Sequence, residues 1–230
     1  MRVAAYGMLS AMSAPSTRTQ VHRHPERGDY DRETIDAILD EALICHVAWV
    51  GPDGAPRTLP TIHARVGDTV YVHGSKAARA WRALRDGAEV CLATTIVDGL
   101  VLAKSLFEHS MNYRSVVVFG KAREVTDPEE LHVAAAAIAA HVAPGREDEA
   151  RMPTDAEYKQ TLILAVPLDE ASAKVRTGPP KDKEEDADLP IWTGVLPLAT
   201  TPGAPIPAPH SLPGVDVPPS VAGYHRPGRS

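Results

Sequence analysis

The 230-residue sequence is short of several residue types, and each shortage excludes a class of protein. It has two cysteines, Cys45 and Cys91, both inside apolar runs. Without CxxC or clustered Cys/His spacing, they read as buried reduced thiols and not as zinc ligands. Aromatic residues make up 5% of the chain and the net charge is -6, whereas a nucleic-acid-binding face is basic with interleaved aromatics. No apolar run approaches the roughly 20 residues that cross a bilayer. We therefore expect a cytoplasmic protein without nucleic-acid or membrane partners.

Proline is unevenly distributed and suggests how the chain divides. Residues 1–20 are predicted to form a disordered leader, and residues 21–198 one globular domain. Nine prolines fall between Pro197 and the C terminus, where regular structure is hard to sustain. Residues 199–230 are therefore predicted to be a proline-rich extended tail, which wraps the domain or a partner subunit or stays disordered.

Short strand-like runs separated by turn residues dominate the domain. Six strands are predicted, at 44–50, 56–66, 69–74, 89–97, 114–125 and 161–168. Helices are predicted at 31–42, 75–86 and 128–142. Asp98 and Gly99 indicate a turn, and residues 100–109 fit a short helix or an active-site loop. Because most strands follow one another through hairpin turns, and closure removes exposed edges, we predict a mainly β α+β fold built on a six-stranded antiparallel barrel.

The segment SKAARAWR, which starts at Ser75, has the features of an anion site. Backbone N–H groups at a helix start carry partial positive charge and bind phosphate. Ser75 adds a hydroxyl, while Lys76 and Arg79 add cations on one side of the helix. The other interpretation is a capped helix with a solvated cationic face. His73 immediately precedes this turn, so its imidazole would lie near whatever the phosphate carries.

Two further polar stretches interrupt apolar strands. In RTLPTIH (residues 57–63) a proline inside a strand implies an edge or bulge, whose free backbone groups can meet a ligand. Strand alternation would place Thr61 and His63 on one face, and His63 alone fits a surface position. In SMNYRS (residues 110–115) a cationic cluster opens a buried strand, where an unpaired Arg or Asn is expensive. With SKAARAWR, these stretches predict a pocket for a phosphate-bearing aromatic ligand.

The chain resembles the FMN-binding split barrels of the pyridoxamine 5′-phosphate oxidase-like superfamily over residues 18–198. The resemblance rests on the strings CHVAWVGPDGAPRTLPTIHARVGDTVYVHGSKAARAWRAL and CLATTIVDGLVLAKSLFEHSMNYRSVVVFGKA. The branch most similar is that of flavin-binding proteins related to the nitroimidazole-resistance (Nim) reductases. This resemblance implies a split β-barrel and a homodimer with flavin at the subunit interface.

The resemblance also implies roles for individual residues. The FMN phosphate would be held by Ser75, Lys76 and Arg79. The isoalloxazine would be lined by Thr58, Pro60, Thr61, Ile62 and His63. The pocket would be closed, from the second subunit, by Tyr113, Arg114 and Ser115. The predicted cofactor-binding set is completed by Thr94, Thr95, Ser110 and Asn112. His73 would be the catalytic residue beside the flavin, and no metal site is predicted.

The function that the resemblance implies is an FMN-dependent oxidoreductase acting on a small-molecule substrate. The flavin would take hydride from a nicotinamide donor and reduce a small aromatic or nitro compound. Arg114 would favour the anionic reduced flavin, and His73 would donate a proton. Pyridoxamine-phosphate oxidases proper end in an Arg and a His for the substrate phosphate, but this chain reads LPIWTGVLPLATTPGAP there, which argues against that reaction.

Two alternatives fit the same residues. One is a flavin-binding protein without turnover, acting as a store, sensor or chaperone. The other keeps the barrel and changes the cofactor to FAD, the deazaflavin F420 or haem. Haem iron could in principle be ligated by His46, His63, His73 or His109.

Overall fold

The computed structural model describes residues 16–85 and 87–225. Its helices and strands, in chain order, are β1 (Gly28–Asp29), α1 (Arg32–Glu41), β2 (Cys45–Val50), β3 (Pro56–Thr61), β4 (His63–Val66), β5 (Thr69–Ser75), α2 (Arg79–Arg85), β6 (Glu89–Leu102), β7 (Ser110–Lys121), β8 (Arg123–Glu124), α3 (Pro128–Val142), α4 (Arg146–Glu149), α5 (Asp155–Gln160), β9 (Thr161–Pro167), β10 (Glu170–Arg176), β11 (Gly194–Pro197) and α6 (Pro219–Ala222). None of the helices in these residues has the length and apolar character to cross a bilayer.

The strands pair antiparallel throughout and form two sheets. The larger sheet has the order β1-β10-β7-β6-β2-β3, with β11 also paired to β6, and the smaller has the order β4-β5-β9-β8. The predicted antiparallel α+β class is confirmed. The predicted count of six strands is not, because the described residues form eleven, and β10 was missed altogether.

The main core is built from the apolar faces of both sheets together with α1 and α2. Its fully buried members include Val47 on β2, Val70 on β5, Val118 on β7 and Leu164 on β9. Full burial of each such side chain contributes roughly 1.5–3 kcal/mol. Burial of these faces therefore holds the two sheets against each other.

A break at Ile62 divides the predicted strand 56–66. Thr61 ends β3 and pairs with Cys45 in the larger sheet, whereas His63 begins β4 and pairs with Val72 in the smaller sheet. Strict alternation of faces holds only within one continuous strand. His63 is consequently fully buried instead of lying at the surface. The surface expectation for His63 is therefore wrong.

The segment after β5 also differs from the prediction. Ser75 still pairs with Thr161, and the N–H of Lys76 donates to Gln160 O at 3.0 Å. The strand ladder thus continues past the predicted N-cap, and α2 begins only at Arg79. The predicted helix end, residue 86, lies outside the described residues.

The predicted turn at Asp98 and Gly99 is a β-bulge. The β6–β7 register shifts between Val97 and Gly99, and β6 then runs on to Leu102. A bulge adds a residue without ending the pairing, so the turn prediction was wrong. Residues 100–109 finish β6 and then form a 3-10 turn at Leu106–Glu108.

The chain past β10 returns to the domain at two places. β11 pairs with the second half of β6, from Gly99 to Leu102. Further on, Ser220 in α6 bonds to the Glu149 carboxylate through its N–H and its hydroxyl. In the predicted leader, Arg18 bonds to Glu89 and Glu170, while residues 1–15 of that leader and residues 226–230 of the predicted tail lie outside the described part of the chain.

Candidate functional site

The first cleft lies between the β2–β3 hairpin and α2 and has a volume of about 810 Å³. This size is typical of a small-molecule site. Two predicted phosphate and flavin contacts, Thr58 and Arg79, lie on its walls. The lining is Trp49, Pro52, Asp53, Pro56, Arg57, Thr58, Leu59, Arg79, Ala80 and Ala83.

Arg79 supplies the uncompensated positive charge of this first cleft. The guanidinium of Arg57 is bound in bidentate fashion by Asp53, with both N···O distances 2.8 Å, and this contact lowers the pKa of Asp53 to about 2. In the described part of the chain no carboxylate lies within ion-pair distance of Arg79. An exposed, unpaired guanidinium on a cleft wall suits a phosphate oxyanion.

Trp49, in the wall of the first cleft, has an unused hydrogen-bond donor. Its indole Nε1 is buried and has no acceptor among the described residues. An indole N–H can only donate, and a buried donor without a partner is costly. Trp49 also lines the first cleft, so one of the residues of its wall carries an unsatisfied donor.

The junction of β3 and β5 brings predicted ring contacts close to the predicted catalytic histidine. The Thr61 hydroxyl lies 3.4 Å from His73 O, and Pro60 is exposed beside it on β3. His73 is half-buried, and its Nδ1 has no partner among the described residues. Burial lowers the pKa of His73 below its ordinary value, so the imidazole is neutral at neutral pH. That favours a metal ligand or hydrogen-bond donor over the proton donor expected from the sequence.

The other two predicted phosphate contacts are already engaged. The Ser75 hydroxyl accepts a bond from Ala77 N at 3.2 Å, and Lys76 Nζ lies 3.8 Å from a carboxylate oxygen of Glu124. Their part in phosphate binding stays a prediction, with Arg79 the stronger candidate.

The remaining predicted contacts lie on β6 and β7 and do not line the first cleft. The Thr94 hydroxyl donates to Ile44 O at 3.1 Å and the Ser115 hydroxyl to Lys174 O at 3.3 Å. Asn112 is buried, Tyr113 is half-buried, and Thr95 and Ser110 are exposed. Within one chain the structure therefore does not bring this group to Thr58 and Arg79. For Tyr113, Arg114 and Ser115 the resemblance implied a place in the pocket of a second subunit, and the role of the whole group stays a prediction.

Arg114 is bound by two carboxylates. Its Nε and Nη2 donate to Asp98 at 2.9 and 2.8 Å, and its Nη1 and Nη2 donate to Glu41 at 2.5 and 2.9 Å. These contacts raise the pKa of Arg114 well above its usual range, with Asp98 the larger cause. Because both carboxylates neutralise the guanidinium, Arg114 has no spare charge with which to stabilise a reduced flavin. Its predicted place in the pocket stays a prediction.

A second cleft, of about 820 Å³, lies between the end of α1, the middle of β6 and the chain past β11. The sequence did not predict it, because the strands and the tail that form it are far apart in the chain. His225 lies on its wall, and the ring Nδ1 is 3.1 Å from Gly223 O. The lining is Glu41, Ala42, Leu43, Ile44, Thr95, Ile96, Val97, Leu198, Ala199, Thr200, Thr201, Pro202, Tyr224 and His225.

A family model described as pyridoxamine 5′-phosphate oxidase matches residues 31–175. The chain belongs to this family. The predicted membership in the pyridoxamine 5′-phosphate oxidase-like superfamily is confirmed. None of the curated protein sequences matches this chain.

Two solved structures are similar to this family member over most of its length. The flavocytochrome Anf3 from Azotobacter vinelandii is 37% identical, with 93% of this chain and 99% of that chain covered and a TM-score of 0.83. The FAD and heme binding protein from Mycobacterium smegmatis is 38% identical, with 87% and 98% covered and a TM-score of 0.82. A 5-nitroimidazole antibiotic resistance protein from Bacteroides thetaiotaomicron VPI-5482 is 24% identical, with 64% and 86% covered and a TM-score of 0.55, and shows the fold alone.

These matches differ in how much of the C-terminal segment, residues 177–225, they take in. The family model ends at Val175. Matches that cover 93% and 87% of the chain must extend well into this segment. The segment carries β11 and part of the wall of the second cleft, and the two longer matches share at least part of it.

Proposed function

We propose that this protein is a flavocytochrome-type oxidoreductase that binds one flavin and one haem per chain and passes electrons between them. The likeness to Anf3 and to the Mycobacterium smegmatis protein supports this proposal, because it extends past the family domain into the C-terminal segment. FAD is the first candidate flavin, since one of these proteins is described as binding FAD, and FMN is the second.

The flavin belongs in the first cleft. Arg79 would bind its phosphate, Thr58 would add a hydroxyl, and Trp49 would donate its unused N–H. His73 and Thr61 would lie towards the ring. A bound flavin supplies hydride and single-electron transfer, while these residues bind and orient it.

Three imidazoles have the chemistry of haem ligands. They belong to His73, His109 and His225. His63, which was also a candidate from the sequence, is set aside because it is buried, with Nε2 2.8 Å from Leu39 O and its ring centroid 4.5 Å from that of His141. His73 is neutral, with Nδ1 unpartnered in the described structure. The Nδ1 of His109 lies 2.9 Å from Ser105 O, and the Nδ1 of His225 forms the same kind of contact with Gly223 O. Bonding at Nδ1 leaves the Nε2 lone pair for a metal.

A homodimer with the flavin at the subunit interface is part of the proposal. Leu106 and Phe107, in the loop between β6 and β7, are 88% and 86% exposed, and Trp192 is 66% exposed. Large exposed apolar side chains of this kind are often interaction surfaces. A second copy would cover them and could bring residues 110–115 to the first cleft of its partner. Sedimentation gives the oligomeric state, and cell fractionation tests the expected cytoplasmic location.

An absorption spectrum of the freshly purified protein tests the cofactors directly. We expect flavin bands together with the Soret band of haem, and mass analysis of the released ligands identifies FAD, FMN or F420. Absence of both chromophores would contradict the proposal. A flavin without haem would return the function to the flavin-dependent reduction of small aromatic or nitro compounds. Oxidation of a nicotinamide donor in the presence of a nitroaromatic then separates that enzyme from a non-catalytic flavin-binding protein.

Single variants locate the two cofactors. Arg79→Ala is expected to weaken flavin binding by at least ~1.5 kcal/mol, the usual value for a lost charge-assisted hydrogen bond. Arg82→Ala, one turn along α2 and outside the cleft lining, is the matched control. Haem content is measured in His73→Ala, His109→Ala and His225→Ala, with exposed His132→Ala as control. Full haem loading in all three variants would contradict the ligand assignment.

A further inference from the structure

Arg176, at the end of β10, is the most deeply buried arginine of the described chain, with 7% of its surface exposed. One hydrogen bond is formed, from Nη1 to the Oδ1 of Asn112. No carboxylate lies within ion-pair distance of Arg176 in the residues that the structure describes. A buried cation without a counter-charge is strongly unfavourable, and arginine cannot escape the cost by losing its proton.

The surroundings of Arg176 are positive as well as dry. Burial away from solvent lowers the pKa of Arg176, and the positive charge of Arg27 lowers it further. The charge of Tyr113 acts in the opposite direction. The nearest carboxylate of Arg27 is that of Glu26, at 3.9 Å, a weak contact. Of these two guanidinium groups, Arg27 alone has a carboxylate within ion-pair distance in the described structure.

Asn112 fixes the orientation of the Arg176 side chain. Its Nδ2 donates to Gly178 O at 3.1 Å, which leaves Oδ1 to accept from the guanidinium. A guanidinium has five N–H donors in a planar fork. Only one has an acceptor among the described residues, so the fork keeps donors for a bidentate oxyanion.

We propose that Arg176, oriented by Asn112 and flanked by Arg27, is a binding site for an oxyanion, either the phosphate or the carboxylate of a small molecule. These three residues line neither cleft. The site therefore goes beyond the cofactor sites proposed above. Its ligand is either a free oxyanion or, where residues 110–115 reach the first cleft of a second copy as proposed above, the phosphate of that copy's flavin.

Thermal unfolding of the full-length protein tests the site, with inorganic phosphate replacing chloride at constant ionic strength. We expect phosphate to raise the unfolding midpoint of the wild type, since a ligand of the folded state stabilises it. In Arg176→Gln we expect at least tenfold weaker apparent phosphate affinity. Arg151→Gln removes an exposed charge paired with Glu157 and should keep the response. Arg27→Gln leaves the buried guanidinium of Arg176 intact, and it replaces Arg176→Gln as the test variant if that protein does not fold. We expect Arg27→Gln to lower the apparent affinity for phosphate severalfold.

Comparison of FMN with riboflavin identifies the source of the oxyanion. If the phosphate belongs to the flavin, Arg176→Gln weakens FMN at least tenfold and leaves riboflavin unchanged. If the oxyanion is free, both flavins bind as before while the response to inorganic phosphate is lost. The proposal is overturned when neither the phosphate response nor the preference for FMN over riboflavin differs between wild type and Arg176→Gln. Flavin content of the wild-type protein tests the proposed function separately.

Discussion

Two buried or half-buried arginines on neighbouring strands differ in what surrounds them. Arg114 on β7 pairs in register with Val175, the residue before Arg176 on β10. Arg114 has two carboxylate partners, Glu41 and Asp98, whereas Arg176 has one amide and a second arginine nearby. The positive charge of Arg114 is neutralised inside the fold, while that of Arg176 remains to be neutralised by something the fold does not supply.

This contrast separates a structural charge from a binding charge. A buried ion pair is costly to break, although an apolar replacement of the whole pair is often tolerated. A buried cation kept without a counter-charge lowers stability and is expected where function requires it. We therefore expect loss of Arg114 to destabilise the fold, and a carboxylate introduced beside Arg176 to stabilise it.

The largest effect is expected for Arg114→Gln. The change removes the guanidinium that offsets the charges of buried Glu41 and half-buried Asp98. The free energy of unfolding should fall by about 3 kcal/mol, the lower end for a broken buried pair because Arg114 is partly exposed. Urea denaturation measures it. Arg123→Gln breaks an exposed pair with Glu130 and should cost less than about 1 kcal/mol. Equal losses in the two variants would remove the distinction.

A smaller effect is expected when Arg176 receives a carboxylate. Asn112→Asp should raise the free energy of unfolding by up to about 1 kcal/mol through a charge-assisted bond, after loss of the Nδ2 donor to Gly178 O. It should also abolish the response to phosphate. In an Arg176→Gln background the gain should vanish, which a double-mutant cycle measures. A retained phosphate response in Asn112→Asp would contradict the account of Arg176.

The smallest effect on the free energy of unfolding is expected from His73, a basic group that, unlike the two arginines, becomes neutral when it is buried. Its pKa is lowered in the folded protein by loss of water, whereas the unfolded chain titrates near ~6.5. Stability is therefore unaffected by this group above that pH, and it falls as the pH drops from ~6.5 to the lowered pKa, because the unfolded state binds the proton first. His73→Gln should flatten this part of the profile of unfolding free energy against pH. An unchanged slope would show that His73 is not the group responsible.

Local patterns in the sequence predicted most elements of the fold. Apolar periodicity located α1, α3 and the central strands, and turn residues located the first hairpins. The failures occur where tertiary contacts override alternation, as at Ile62 between the sheets and at Ser75, where pairing with Thr161 delays α2. β10 was not predicted from the sequence, although Ala171, Ala173 and Val175 alternate with polar residues, which is the pattern of a half-buried strand.

The candidate site was predictable in composition and less so in arrangement. The argument that an unpaired strand-end arginine needs a ligand is physically sound, but it was applied to Arg114. The partners of that residue lie 16 and 73 positions away in the chain, and a single sequence gives no sign of such distant pairing. Arg176 ends the strand that was missed, so its burial could not be predicted.

The pairing of β11 with β6 matters for any shortened version of the chain. β2 covers β6 only from Val90 to Ala93, and β11 covers the half from Gly99 to Leu102. A chain that stops before Gly194 has lost β11. The backbone N–H and C=O groups of β6 from Gly99 to Leu102 would then be unpaired on that side, near the exposed Leu106 and Phe107 in the loop that follows. An unpaired strand border of this kind recruits other chains, so a truncated protein should polymerise or precipitate even though its family domain is intact.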